Sequence, residues 1–166
     1  MKKTVLKFGL LSGAFMFLSM LIAFVFFKDE SWAMTEYFGF GSMILVFVIM
    51  YFGIREHKVK NLGGTISFKQ AFLTGLYITI ICSLIYTITW MFISYSDPEM
   101  VENMLDTYYI PSDGELSADK LKEVADLKAS YNNPVIRFGM TLMEIFPVGL
   151  LFTLIYAAIN TYLPRK

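Results

Sequence analysis

The sequence predicts an all-α integral membrane protein: a four-helix bundle with a helical extracytoplasmic loop between its third and fourth spanning helices. Three observations predict this fold class. Of 166 residues, 56% are apolar, with 16 phenylalanines and a mean hydropathy of +0.56, which is more apolar surface than a soluble domain of this length buries. The apolar residues gather in four long runs, and the connections between the runs alternate in charge. We treat residues 1–166 as a single membrane domain.

The four apolar runs predict spanning helices at about 8–27, 37–54, 71–93 and 138–163. Each is near the ~20 residues that a helix needs to cross ~30 Å of hydrocarbon. Backbone amides cannot stay unpaired in lipid, so each run should be helical. The first run follows three lysines, as a signal peptide would. It is longer than the apolar segment of about 7–15 residues in such peptides, so we expect a retained helix.

The charges of the connections predict the orientation. Basic residues collect at the N-terminus, in the connection 55–70 and at the C-terminus, whereas acidic residues dominate 28–36 and the outer loop 94–133. Basic segments stay on the cytoplasmic side of a membrane, so both termini should be cytoplasmic. The basic connection also predicts contacts with anionic lipid headgroups, in addition to the lipid bilayer itself.

The outer loop has its own helical pattern. Asp97-Pro98 suits a helix cap and first position, and a second short helix should run from Ser117 to the Asn132-Asn133-Pro134 break. Apolar residues recur at helical spacing after Pro98, so they should lie on the membrane surface or cap the bundle. The alternative is a docking site for a membrane or periplasmic protein partner. The expected contact residues are Met100, Met104, Leu105 and Tyr108.

The entry to the third helix has a specific turn pattern. Gly63-Gly64 permits a tight turn with positive φ. Thr65 or Ser67 should cap the helix, and Gln70 follows Ser67 at the spacing of a capping box. The glycines lack the spacing of a phosphate-binding loop, and no strand precedes them, so we expect no nucleotide site here.

Enzyme chemistry lacks its usual residues. His57 is the only histidine, Cys82 the only cysteine, and no cluster of His, Cys and Asp has the spacing of metal ligands. The formal charge of zero gives no reason to expect a nucleic-acid partner. We therefore expect no enzymatic activity, no cofactor and no metal.

Glu144 is the most informative residue because it lies inside the fourth apolar run. A charged carboxylate at the centre of a membrane helix costs ~2.5–3.5 kcal/mol or more, so it should be protonated, paired or facing water. Pro147 follows three residues later; it lacks an N–H and clashes with the carbonyl of Met143. A kink and a freed acceptor should therefore lie beside the acid.

Helical geometry suggests the neighbours of Glu144. Arg137 and Thr141 share its side of the helix, and we expect hydrogen bonds across the bundle, foremost to Tyr86 or Thr87. This environment would be either a polar cavity with a function or a structural hydrogen bond between helices. The candidate intramembrane polar cluster comprises Glu144, Pro147, Arg137, Thr141, Tyr86, Thr87, Ser83 and Ser42.

Small residues predict close packing. Gly9 and Gly13 form one ridge, and Gly149, Thr153 and Ala157 form another. Packing within the bundle is the expected use, with a homodimer as the alternative.

The segments "YFGIREHK" (51–58), "GGTISFKQAFLTG" (63–75) and "NNP" (132–134) resemble a bacterial four-helix membrane family, catalogued as domain of unknown function 4199. The resemblance covers nearly the whole chain. It implies a multi-pass protein of the bacterial inner (cytoplasmic) membrane and implies no activity.

Two functions follow as hypotheses. We favour an interaction or scaffolding protein that uses its acidic outer loop, because four helices are few for a transporter unless it oligomerises. The alternative is a small transporter or proton-coupled component that uses Glu144. A polar cavity that reaches Glu144 would favour this alternative.

Overall fold

The computed structural model describes residues 1–26, 32–110 and 117–162, apart from the side chains at positions 32–34, 36 and 108. In chain order the helices are α1 (Lys2–Phe26), α2 (Trp32–Glu56), α3 (Phe68–Ser96), α4 (Pro98–Tyr109), α5 (Ala118–Tyr131) and α6 (Pro134–Tyr162). A π-helical turn, His57–Asn61, follows α2 directly. The part of the chain described here contains no strand, and the predicted all-α bundle is confirmed.

Within the described residues, α1, α2, α3 and α6 are each long and apolar enough to cross a membrane. The chain is therefore a membrane protein. Most helix ends lie beyond the predicted bounds of the apolar runs: α1 begins at Lys2 and α2 continues to Glu56. Polar residues at these ends prolong the helices outside the apolar segment, where hydropathy alone gives no signal.

Helix α3 lies at the centre of the bundle, with its largest contacts to α6 and α1. Glycines permit these contacts. A Cβ on Gly9 would lie 2.8 Å from Ile81 Cδ1, and a Cβ on Gly149 would lie 2.6 Å from Thr79 Cγ2. Both ridges of small residues are thus buried against α3 inside the bundle.

The half of the bundle near the start of α1 and the end of α6, here called the termini end, is densely packed. Its buried core includes Met50, Ile54 and Ile78, and the rings of Phe47 and Phe152 stack with centroids 4.0 Å apart. Polar groups in this core bond to each other: the hydroxyl oxygens of Thr79 and Thr153 are 3.0 Å apart, and each hydroxyl contacts Met50 Sδ.

The turn into α3 has the predicted geometry. Gly63 and Gly64 have φ angles of 66° and 102°, and Gly64 N donates to the carbonyl oxygen of Lys58 at 2.9 Å. Ser67 and Gln70 form the capping box, each side chain accepting from the other's backbone N–H. The turn therefore ends one spanning helix and starts the next with these backbone groups paired.

Helices α4 and α5 lie at the opposite end of the bundle, here called the loop end. Asp97 caps α4 by accepting from Met100 N at 3.0 Å, and Ser117 caps α5. The apolar face of α4 is turned inward: Val101 and Leu105 are buried with Tyr131, and Met100 and Met104 pack beside them. Of the two placements expected for this face, α4 caps the bundle. The side chain of Tyr108, predicted for the same face, is outside the described structure.

Candidate functional site

A cavity of about 1020 Å³ occupies the loop end of the bundle. Side chains of all four spanning helices and of α5 line it, and α4 forms its roof through Met100, Met104 and Leu105. The loop end of the bundle thus encloses open space, in contrast to the dense core at the termini end.

Glu144 of α6 lines this cavity together with Thr141, Tyr86 and Ser42. Many protein atoms surround the carboxylate, yet its accessible fraction is high, and it borders the cavity. None of the hydrogen bonds seen between described residues involves Glu144, so the expected bonds to Tyr86 and Thr87 are not seen. The acid is brought to open space within the bundle instead of to a hydrogen-bonding partner.

The remaining members of the predicted polar cluster lie elsewhere. Ser83 and Thr87 are buried in α3 outside the lining of the cavity, and the Thr87 hydroxyl has no hydrogen-bonding partner in the described structure. Pro147 is exposed within α6 and does not line the cavity either. The structure therefore brings four of the eight predicted residues to one site.

Arg137 is buried, but it does not contact Glu144. Its guanidinium donates to the Tyr131 carbonyl oxygen at 3.0 Å, to Ser94 Oγ at 3.1 Å and to Asn132 Oδ1 at 3.4 Å. It also stacks between the rings of Tyr95 and Tyr131, at 5.1 and 5.0 Å. Arg137 thus joins the α5–α6 corner to α3. The sequence analysis missed this role. The only signal for it was the presence of tyrosines at 95 and 131, whose rings can pack against a guanidinium.

Tyr131 connects the corner to the cavity wall. Trp90 Nε1 donates to Tyr131 Oη at 2.7 Å, and both side chains line the cavity. Burial raises the pKa of Tyr131, while the Trp90 hydrogen bond and the Arg137 charge oppose that shift. At neutral pH the phenol is uncharged, so it adds no charge to the cavity wall.

The charge of the lining was not anticipated from the sequence. Its acids are Glu144, Asp97 and Glu99, and no Lys, Arg or His belongs to the described lining. The sequence pattern at Asp97 predicts only a helix cap, because a local pattern does not reveal that a cap also borders a cavity. Glu99 comes from the first turn of α4, which forms the roof.

At the termini end the basic residues make local contacts. Lys7 and Lys60 both donate to Glu56, with Nζ to Oε2 distances of 2.9 and 3.0 Å, and Lys58 Nζ donates to the carbonyl oxygen of Asn160. His57 is buried, with Nδ1 3.0 Å from the side-chain nitrogen of Asn61. These contacts tie the turn after α2 to α1 and α6. In the described ranges, no group of three or more His, Cys, Asp and Glu residues could hold a metal.

The fold and the cavity define a small all-α membrane protein with a hollow loop end. The family described as "Protein of unknown function (DUF4199)" matches residues 7–161, and the chain belongs to this family. The resemblance carried by the segments at 51–58, 63–75 and 132–134 is thereby confirmed. Comparison with curated proteins and with solved structures gives no match.

Proposed function

We propose that the protein is a small transporter or proton-coupled component that binds a small ligand inside its bundle. In this proposal, Glu144 contacts the ligand or carries the proton. The observation that carries the proposal is the cavity of about 1020 Å³ that Glu144 lines. Ligand sites in proteins are typically clefts of ~300–1,000 Å³, largely apolar with a few polar groups. The volume of this cavity is slightly above that range, and its lining has that mixed character.

The position of α4 supports this choice over the interaction hypothesis. Val101 and Leu105 are 4% and 6% exposed, and Met100 and Met104 pack beside them. The apolar face that would have docked a partner protein is therefore used to roof the cavity.

An interaction or scaffolding role remains the second candidate, and α5 is the surface that favours it. Leu121 is 51% exposed, and most of the helix around it is exposed, with charged residues on either side of Leu121. An amphipathic helix with its apolar residue uncovered suits contact with the bilayer surface or with a partner protein.

The proposed location is the bacterial inner membrane, with both termini in the cytoplasm. The support is the basic character of the N-terminus, of the 55–70 connection and of the C-terminus. In this orientation the cavity lies in the outer half of the membrane, below the extracytoplasmic helices.

Thiol labelling tests whether the cavity is open to water from outside. In a Cys82→Ala background, Ser42→Cys places a thiol on the cavity wall, whereas Gly41→Cys, its neighbour on α2, faces away from the cavity. A small membrane-impermeant thiol reagent is added to right-side-out cells. We expect labelling at position 42 and none at position 41, although position 41 is nearer the outer surface.

Equal labelling of the two variants would show that depth in the membrane alone determines labelling, which would contradict the proposal. An unreactive thiol at position 42 would also contradict it. Gly39→Cys serves as the positive control, because Gly39 lines the cavity closer to the outer end of α2, and a Cβ there has no atom within 4 Å. Reagent added to inverted vesicles should label neither cavity position if the proposed orientation is right.

A further inference from the structure

We infer that the cavity selects a lipophilic organic cation. This inference rests on the proposed function, since it names the class of ligand for the same site. The inference depends on two properties of the lining. The first is its charge, and the second is its content of aromatic residues and methionines. Both are independent of the cavity's volume.

The charge of the lining is negative. Glu144 lies on the spanning helix α6, while Asp97 and Glu99 lie where α3 gives way to α4. The described lining contains no basic side chain. Glu144 makes none of the hydrogen bonds or ion pairs seen between described residues, and on the low-dielectric wall of a cavity a carboxylate attracts a cation more strongly than it would at an open surface.

Arg137 is the nearest candidate for neutralising Glu144 on α6, and it is held elsewhere. Its nitrogens are bonded to Tyr131, Ser94 and Asn132, with the rings of Tyr95 and Tyr131 on either side. Because these contacts fix the guanidinium at the corner, Glu144 keeps its open side toward the cavity.

The rest of the lining suits a large apolar cation. Aromatic faces attract cations, and methionine side chains adapt to irregular shapes. A neutral lipid would leave Glu144 without a counter-charge, and an anion would be repelled by it. The aromatic lining residues are Phe24, Phe38, Phe40, Tyr86, Trp90, Tyr109 and Tyr131, and the methionines are Met16, Met20, Met43, Met100, Met104 and Met140.

Equilibrium binding of tetraphenylphosphonium to the full-length protein in lipid nanodiscs tests the inference. We expect saturable binding to the wild type. Tetraphenylborate, an anion of the same shape, should not compete. Glu144→Gln should weaken binding by about tenfold or more, because it removes the counter-charge from the cavity wall, whereas Glu144→Asp should keep most of it.

The matched control is Glu102→Gln, which removes one negative charge from α4 outside the cavity lining. It should leave tetraphenylphosphonium binding unchanged. Equal binding by the wild type and Glu144→Gln, or equal competition by the anion, would overturn the inference, since either would show selection by hydrophobicity alone. Absence of binding in a protein whose Ser42→Cys thiol is labelled from outside would refute the cation inference and leave the proposed ligand cavity standing.

Discussion

Trp90 and Tyr131 are joined by a hydrogen bond of 2.7 Å between the indole Nε1 and the phenol oxygen. Trp90 belongs to the spanning helix α3 and Tyr131 is the last residue of α5, so the bond links the loop end to the centre of the bundle. The guanidinium of Arg137 packs over the Tyr131 ring and donates a hydrogen bond to the Tyr131 carbonyl oxygen. These contacts thus anchor the end of α5 to α3 and α6 beside the cavity.

Replacing Arg137 should destabilise the protein. Arg137→Met leaves the Tyr131 carbonyl and Ser94 Oγ without their donor at a buried site, and hydrogen bonds to charged groups contribute ~1.5–3 kcal/mol each. We expect a loss of about 3 kcal/mol in the free energy of unfolding. Thermal unfolding of purified protein in detergent measures it.

Arg137→Lys should recover only part of that loss, because an ammonium group cannot reproduce three bonds in one plane. Lys122→Gln, at an exposed position of α5, controls for the loss of a positive charge. An unchanged unfolding temperature for Arg137→Met would show that the corner does not hold the bundle together.

The raised pKa of Tyr131 predicts a dependence of stability on alkaline pH. Burial is the main cause of the shift, and the ordinary value is 10.0. A folded-state pKa above the unfolded value stabilises the fold fully below pH ~10, and this contribution is lost as the pH rises through the folded pKa. The stability difference between the wild type and Tyr131→Phe should therefore shrink as the pH rises above 10.

Denaturant unfolding of both proteins at several pH values measures this difference, and lysines and other tyrosines cancel in the comparison. A difference that stays constant with pH would mean that Tyr131 titrates alike in the folded and unfolded states.

The sequence predicted the features that depend on neighbours along the chain. The capping box of Ser67 and Gln70 and the cap at Asp97-Pro98 are such features, since all their partners lie within three residues. The spanning helices were predicted for the same reason, because length and hydropathy are local properties.

The site was predicted only in part, because its geometry depends on distant residues. Hydropathy identified Glu144 as unusual, but not the space beside it, which needs side chains from all four spanning helices and α4. The partners of Arg137 are also hard to predict from neighbouring residues. Ser94 is 43 residues away, and the contact with Tyr131 depends on the angle between α5 and α6. Helical periodicity placed Arg137 on the side of Glu144 but could not show where its long side chain ends.

A side chain at position 149 should destabilise the protein. A Cβ there would lie 2.6 Å from Thr79 Cγ2, in the tight contact between α6 and α3. Overpacking of this kind costs ~1–3 kcal/mol, so Gly149→Ala should lower the free energy of unfolding by that amount. Gly41→Ala is the matched control, since its Cβ would meet nothing within 4 Å. Equal stability of the two variants, measured in the same detergent, would contradict the packing described here.

Glu144 should react with a hydrophobic carbodiimide, because such a reagent enters the bilayer and the carboxyl group has an open side toward the cavity. Dicyclohexylcarbodiimide added to membranes should modify one carboxyl, located by mass spectrometry to the peptide that contains residue 144. Glu144→Gln should abolish the modification, whereas Glu102→Gln, in the exposed loop, should not.

Tetraphenylphosphonium present beforehand should slow the reaction at Glu144 if cation and reagent compete for the cavity. Modification that proceeds at the same rate with and without the cation would place the reactive face of Glu144 outside the ligand space. Because the reaction needs a protonated carboxyl group, a Glu144 that stays unreactive at every pH tested would show that the cavity is closed to the bilayer.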